Sequence, residues 1–330
     1  MRTYLLPASG RDFKANLHCH TVISDGALTP EEVKKAYSER GYSVVAFTDH
    51  DILLDHSDLC DDAFLALNGY ELHVPPHLPH TCHMCFIAKD PKNLTMVCHA
   101  PGYMNWGNMV NYADQIVFDR DDYVRENSHA GICEMFRIGR ENGFFVTYNH
   151  PVWSRERYPE YSGYEGMHAM EIFNTGAWRE GYPEYNSQVY DDLLCQGKRI
   201  FCIAADDNHN RNPHIHPDND SFGGWVMVRA EHLGYETIMQ ALEKGDFYAS
   251  CGPEIYDFYV EDGMVHITTS PVRKIALITG GRFGKSVEAV GDDRVTCASF
   301  PLPKDGYFRM DVVDSHGNHA NTNACFLDTL

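Results

Sequence analysis

The stretch NLHCHTVISDGALTPEEVKKAYSERGYSVVAFTDHD constrains the fold most, because it places His18, His20, Asp25, Asp49 and His50 in one strand–helix–strand unit. In KANLHCH the side chains alternate, so His18 and His20 share one face while Leu17 and Cys19 take the other. Thr29, Pro30 and Glu32 spell a helix start: an N-cap threonine, a proline at the first helical position, and an acid placed to close a capping box. Gly41 ends that helix. The following YSVVAFTD is too uniformly apolar for a half-exposed strand and predicts a buried parallel one. Two parallel strands joined by a helix make a right-handed crossover, which gathers functional side chains at the carboxyl ends of its strands. His18, His20 and His50 all fall at such ends.

The same pattern continues down the chain. FLALNGYELHV predicts a strand with Glu71 near its end, and HTCHMCFIAKD sets His83 just before an apolar strand. Residues 91–130, rich in polar and aromatic side chains, read as a helical insertion over the mouth of a site. A helix from Ile132 to Asn142 stops at Gly143, and the strand after it ends in His150 and Pro151. HAMEIFNTG carries Glu171 and Asn174, and RIFCIAADDNHN ends in Asp206, Asp207 and His209. GGWVMVRAE is a further strand, and YETIMQALEKGDFYAS an amphipathic helix with a glycine break. Seven or eight strands alternating with helices predict a parallel α/β barrel. After Gly252 and Pro253 the pattern turns to short strands with Asp-Gly and His-Gly turns, which predicts a small antiparallel β appendage. The expected division is a barrel over 1–253 and a β-rich unit over 254–330.

A formal charge of −20, with 27 basic against 47 acidic residues, argues against a grip on duplex nucleic acid. The first residues lack the apolar core of a signal peptide and no run is long enough to span a membrane, so a cytoplasmic protein is expected. Eleven cysteines without an export signal read as free thiols. The Cys82–Cys85 pair has no second pair to complete a zinc site, and Cys19 reads as core packing.

An HxH, a DH, an HP and a DxH each close a separate predicted strand, and imidazole with carboxylate is the donor set for zinc, manganese or iron. On these motifs the chain resembles the polymerase and histidinol phosphatase (PHP) superfamily: HCH with SDG, TDHD, GYEL, NHP and DNH occur in the family's order between residues 12 and 252. The resemblance implies a distorted (β/α)7 TIM-like barrel, α/β in class, holding two to three divalent ions (Mn, Zn or Fe). One ion would be held by His18, His20, Glu71 and Asp207, a second by Glu71, His83 and His150, and a third by Asp25, His50 and His209. His80 and His99 are nearby competitors for the place of His83. The DxH spacing selects Asp207 over Asp206, leaving Asp206 a supporting role, and Asp49 is expected to orient a ligand or cap a turn.

Such a site fits phosphate chemistry. Three divalent ions against three carboxylates leave a local charge of roughly +3 for a phosphate and a hydroxide. The hydroxide, formed because a bound ion lowers the pKa of water toward about 7, would bridge two ions and attack phosphorus. Glu71, Asp207 and His209 are the expected catalytic residues; His209, His50 or a rim histidine would protonate the leaving group. Arg155, Arg179 and Arg211 follow strand ends and are the candidates to bind a small phosphorylated substrate, a metabolite or nucleotide, as monoester or diester. Trp153 and Trp178 stand beside them, while His214 and His216 read as a solvated rim. An amidohydrolase also opens with HxH, but usually closes with a lone Asp and a carbamylated lysine. A non-catalytic metal-binding barrel would have lost ligands, whereas all nine positions are filled here. A homo-oligomer is left open.

Overall fold

The computed structural model describes residues 2–77, 79–105 and 107–330. The opening unit forms as its local chemistry dictates: strand β1 (Arg11–Asn16), helix α1 (Pro30–Ser38) and strand β2 (Tyr42–Phe47), with the two strands parallel. The capping box is complete, since Thr29 Oγ1 accepts from the Glu32 N–H at 3.3 Å and Glu32 Oε2 accepts from the Thr29 N–H at 2.9 Å. Gly41, at φ 78°, carries the chain out of the helix. Val33 and Tyr37 bury the inner face of α1 against Val45 and Phe47.

Five more strands follow: β3 (Leu65–His77), β4 (His80–Ala88), β5 (Phe144–Tyr148), β6 (Ala169–Asn174) and β7 (Phe201–Ala205). They lie side by side in the order β7-β6-β5-β4-β3-β2-β1. The sheet is mixed. β4 runs antiparallel to both β3 and β5, against the all-parallel expectation. Two residues separate β3 from β4, too few for the crossover of a dozen or more that a parallel pair needs. The reversal puts His83 within β4, opposite His73, instead of ahead of the strand.

His83, Cys85 and Ile87 alternate onto one face of β4. Ile87 belongs to an interior cluster with Leu17, Leu67, Phe145 and Ile203, so the histidine-bearing strand ends sit on top of that core. The other face, with Met84 and Phe86, packs on helix α2 (His129–Glu141) through Met135 and Phe136. The ladder of seven strands does not close: among the described residues β7 and β1 are joined only past their ends, by the single bridge between Cys19 and Asn208. There the Asp207 N–H donates to the His18 carbonyl at 3.0 Å and the His20 N–H to the Asn208 carbonyl at 3.1 Å.

Residues 91–130 are not the expected helical insertion. They fold as 3-10 turns (Pro101–Tyr103 and Met109–Gln115) and one pair of two-residue strands, because their apolar residues form no continuous helical stripe to bury. Strand β8 (Trp225–Ala230) lies against the far side of β1, and the helix Tyr235–Lys244 stops at the left-handed Gly245, earlier than the sequence pattern suggests. Residues Phe247–Ser250 then form strand β9.

Past Pro253 the chain runs through strands β10 (Ile255–Glu261), β11 (Met264–Val272), β12 (Lys274–Thr279), β13 (Lys285–Glu288), β14 (Val295–Pro301), β15 (Tyr307–Val313) and β16 (His319–Thr322), with a short piece at Cys325–Phe326 and a 3-10 turn at Leu327–Thr329. Tyr248, Ala249 and Ser250 pair with Thr322, Asn321 and Ala320, so one sheet runs on from β9 into β16 and β15. The N-terminal Thr3 and Tyr4 pair with β10, and Leu6 enters the core of these strands. The eleven cysteines are all free thiols, with Cys19, Cys82 and Cys85 buried. Among the described residues no helix is long and apolar enough to cross a membrane.

Candidate metal centre

Glu71, fully buried in the middle of β3 and not near its end as the sequence suggests, is the hub. Its Oε1 lies 3.2 Å from His18 Nε2, 3.3 Å from His83 Nδ1 and 3.1 Å from His150 Nε2. Its Oε2 lies 3.4 Å from His20 Nε2 and 3.1 Å from His50 Nδ1. Asp207 closes one side, with Oδ1 3.2 Å from His18 Nε2 and 3.0 Å from His20 Nε2, and Oδ2 3.7 Å from His150. On the outer side Asp25 Oδ2 stands 3.3 Å from His209 Nε2, and Oδ1 faces His50 Nε2 at 3.9 Å.

Three groups of donor atoms each lie within 4.8 Å: His18, His20, Glu71 and Asp207; His20, Asp25, His50 and His209; and His50, Glu71 and His83. The first is one of the sets read from the sequence. The second is another with His20 added, since that ring is turned so that Nδ1 faces Asp25 at 4.0 Å. In the third, His50 joins Glu71 and His83, while His150 contacts both Glu71 and Asp207. His80 and His99 are outside: His80 opens β4, and His99 is buried with Nδ1 3.0 Å from Arg125.

Strained backbone holds these side chains at the strand ends. Asp51, His150 and Asp207 have φ of 53°, 24° and 52°, a left-handed region that costs non-glycine residues energy. Each is tied down: the Asp51 N–H donates to the Glu71 carbonyl at 2.8 Å, the His150 N–H to Glu171 Oε2 at 2.8 Å, and the Asp207 N–H to His18. Asp49 Oδ1 and Oδ2 take the N–H and hydroxyl of Thr21 (2.7 and 2.8 Å) and Oδ1 also takes those of Ser24 (3.1 and 2.6 Å), which caps the loop that presents Asp25. Asp206 is a tie behind the site. It accepts from Tyr37 (2.7 Å), Thr175 (2.8 Å) and the N–H groups of Phe222, Gly223 and Gly224, and burial pushes its carboxyl up to about 6 despite them.

The electrostatics suit cations. Burial works against the charge on Glu71, yet His18, His83 and His50 around it hold its carboxyl well below the usual range. Burial likewise opposes a charged His150, but Glu71 and Asp207 raise it to about 9. Burial holds His50 and His83 below the ordinary imidazole value, which favours the neutral ring with one unprotonated nitrogen. His18 Nε2 and His20 Nε2 face each other at 3.1 Å, and the buried Glu71 Oε2 receives no hydrogen bond. Converging lone pairs of this kind fit divalent ions.

A cavity of about 360 Å³ opens onto the cluster. Arg179 and Arg211 line it; Arg155 does not, its guanidinium lying 6.0 Å from the Tyr182 ring. Arg211 is bound to Asp25 at 2.9 Å. Trp153 forms part of the wall, with its ring 5.0 Å from that of His150 and its indole N–H donating to Glu180 at 2.8 Å. Trp178 packs on Phe173 instead. His214 contacts Asn210 and Phe222 and His216 contacts Asp218, both outside the cavity.

The family model for the PHP domain matches residues 16–164. Residues 16–164 are a PHP domain. The match spans His18, His20, Asp25, His50, Glu71, His83 and His150; Asp207 and His209 lie beyond it and join the PHP cluster through the geometry above. No curated protein matches the sequence. Among solved structures, a two-domain protein of Bacteroides vulgatus ATCC 8482, described as containing a predicted PHP-like metal-dependent phosphoesterase, is 16% identical, with 98% of each chain covered and a TM-score of 0.47. A protein of Bifidobacterium adolescentis ATCC 15703, assigned as a metal-dependent phosphoesterase, is 17% identical over 65% of this chain and 93% of its own, with a TM-score of 0.39. An amidohydrolase of Chromobacterium violaceum with bound sulfate and no metal is 17% identical over 59% and 87%, with a TM-score of 0.40.

Sequence reasoning passed over Glu171, to which it gave no role. Glu171 Oε1 is 2.7 Å from His18 Nδ1, which fixes the tautomer that leaves Nε2 toward Glu71 and Asp207. The signal was present in AMEIFN: one acid in an otherwise apolar buried strand needs a partner. Asn149 supports Glu71 Oε1 at 2.9 Å, and Asn174 bridges Glu171 and Asp207 at 2.8 and 3.2 Å. Changing Glu171 to Gln is expected to weaken ion binding about 10–100-fold with the fold intact. Titration with Mn(II) alongside circular dichroism checks this; unchanged affinity would count against the assignment.

Proposed function

We propose that this protein hydrolyses a phosphate ester of a small metabolite or nucleotide, as monoester or diester, at a site of two to three divalent ions (Mn, Zn or Fe). The observation that carries the reading is the convergence of imidazoles and carboxylates on Glu71 at the floor of one cavity. In the same reading β1 to β7 form a distorted (β/α)7 barrel over residues 1–253, with 254–330 as an accessory unit, and the protein is cytoplasmic.

His18, His20, Asp25, His50, Glu71, His83, His150, Asp207 and His209 would hold the ions. Bound ions supply Lewis acidity and lower the pKa of water from 15.7 toward about 7. The residues of the chain do the rest. Glu71 offers one oxygen to each side of the cluster, and with Asp207 and His209 forms the catalytic floor. Arg179, which has no charged or hydrogen-bonded partner among the described residues, is placed to take charge on the phosphoryl oxygens, with Arg211 beside it. Trp153 and Ala177 give an apolar wall that keeps water from the leaving group. Among the described residues no lysine lines the cavity, which favours this reading over a carbamylated-lysine amidohydrolase.

Protein stripped with chelator is expected to lose hydrolysis of p-nitrophenyl phosphate or bis(p-nitrophenyl) phosphate and to regain it with Mn(II), metal analysis then finding two to three ions per chain. Undiminished hydrolysis by the stripped protein would sink the mechanism.

A further inference from the structure

We propose that Arg125 is a positioning residue for the ion site formed by His50, Glu71 and His83; the inference rests on the metal-site reading above. Arg125 comes from the 91–130 excursion, yet its side chain is buried behind the cluster. Nη1 lies 2.6 Å from Asp51 Oδ1 and donates to the His73 carbonyl at 2.7 Å. Nε donates to the Cys98 carbonyl at 2.9 Å, and Nη2 meets His99 Nδ1 at 3.0 Å. The guanidinium carbon sits 3.8 Å from the centroid of the Tyr103 ring. With every arm engaged, the planar guanidinium has one orientation.

Two of those contacts, both made by Nη1, lead to the same ion site. Asp51 directly follows His50 and holds the left-handed backbone at φ 53°. Anchoring its carboxylate fixes that turn, and with it the His50 ring, whose Nδ1 is 3.1 Å from Glu71 Oε2. The other contact grips β3 at the His73 carbonyl, two residues past Glu71 on the same strand face. His73 Nδ1 is 2.7 Å from His83 Nε2, a contact that turns His83 Nδ1 toward Glu71 at 3.3 Å. One buried cation therefore braces both histidines of the site from outside, and none of its contacts is to His18, His20 or Asp207. The excursion that carries Arg125 is in this light a supplier of that brace.

The test uses the full chain with Arg125→Met and Arg125→Lys, dialysed against Mn(II) and analysed for bound ion. Arg125→Met is expected to weaken one ion about 10–100-fold while the ion of the His18, His20 and Asp207 group stays. Arg125→Lys, which keeps a cation against Asp51, is expected to recover most of that loss, a rescue that a purely structural role would not give selectively. Should Arg125→Met fail to fold, His73→Gln leaves the buried ion pair in place and is expected to weaken the same single ion. Unchanged binding of every ion in a folded variant, or uniform weakening of all of them, overturns the proposal while leaving the metal-site reading intact. An unmodified chain that binds no divalent ion overturns both.

Discussion

Replacing Glu71 with glutamine is expected to remove bound ions and hydrolysis together, by more than the roughly 10–100-fold that loss of a residue behind a ligand costs. Glutamine keeps the volume, so the interior core below is undisturbed. The charge disappears from a site where one carboxylate stands within 3.4 Å of nitrogens from His18, His20, His50, His83 and His150. The amide would also turn a donor toward imidazole nitrogens that must keep their lone pairs free. No neighbour can take over, because Asp207 reaches only His18, His20 and His150, and Asp25 lies on the outer side. Metal analysis after dialysis, with phosphatase assays on the same samples, reads both losses. His214→Ala is the control, as that ring stands outside the cavity, and equal losses in the two variants would mean that the cluster is misassigned.

What could be read from the sequence was what is decided locally. The capping box at Thr29 and Glu32, the stop at Gly41 and the alternation of His18 with Cys19 need only neighbours in the chain, and they form as expected. The direction of β4 was not legible by period alone. Apolar alternation reads alike in either direction, and the two-residue connection that forces the hairpin lies between strands whose ends were not known. The grouping of His50 with Glu71 and His83 depends on that reversal. Side-chain direction was equally hidden: Arg155 and Arg179 both follow strand ends, but only Arg179 turns into the cavity. Arg125 carried no signal at all, since its partners are the carbonyls of His73 and Cys98 and the carboxylate of Asp51, distant in sequence.

The largest loss of stability is expected far from the cluster, at Arg309 on β15. Its side chain is 2% exposed, and it forms a two-pronged pair with Asp191 on the helix Ser187–Cys195, Nε at 2.8 Å and Nη2 at 2.6 Å, with Nη1 donating to Asn321 at 2.8 Å. Tyr190, Leu193 and Leu194 of that helix share a core with Ile132, Met135 and Phe136 of α2, so this pair ties the C-terminal strands to that core. Taking two charges out of water is costly, and removing only one leaves the other without its partner. Arg309→Met is therefore expected to cost up to about 3–5 kcal/mol, because among the described residues Asp191, 24% exposed, would retain only the Tyr307 hydroxyl, 3.1 Å away. The double change with Asp191→Leu is expected to cost less than the single one, since no charge is stranded. Urea unfolding in chelator, which keeps ion binding from shifting the midpoint, gives the comparison. A single variant as stable as the parent chain would show that the pair contributes nothing across this contact.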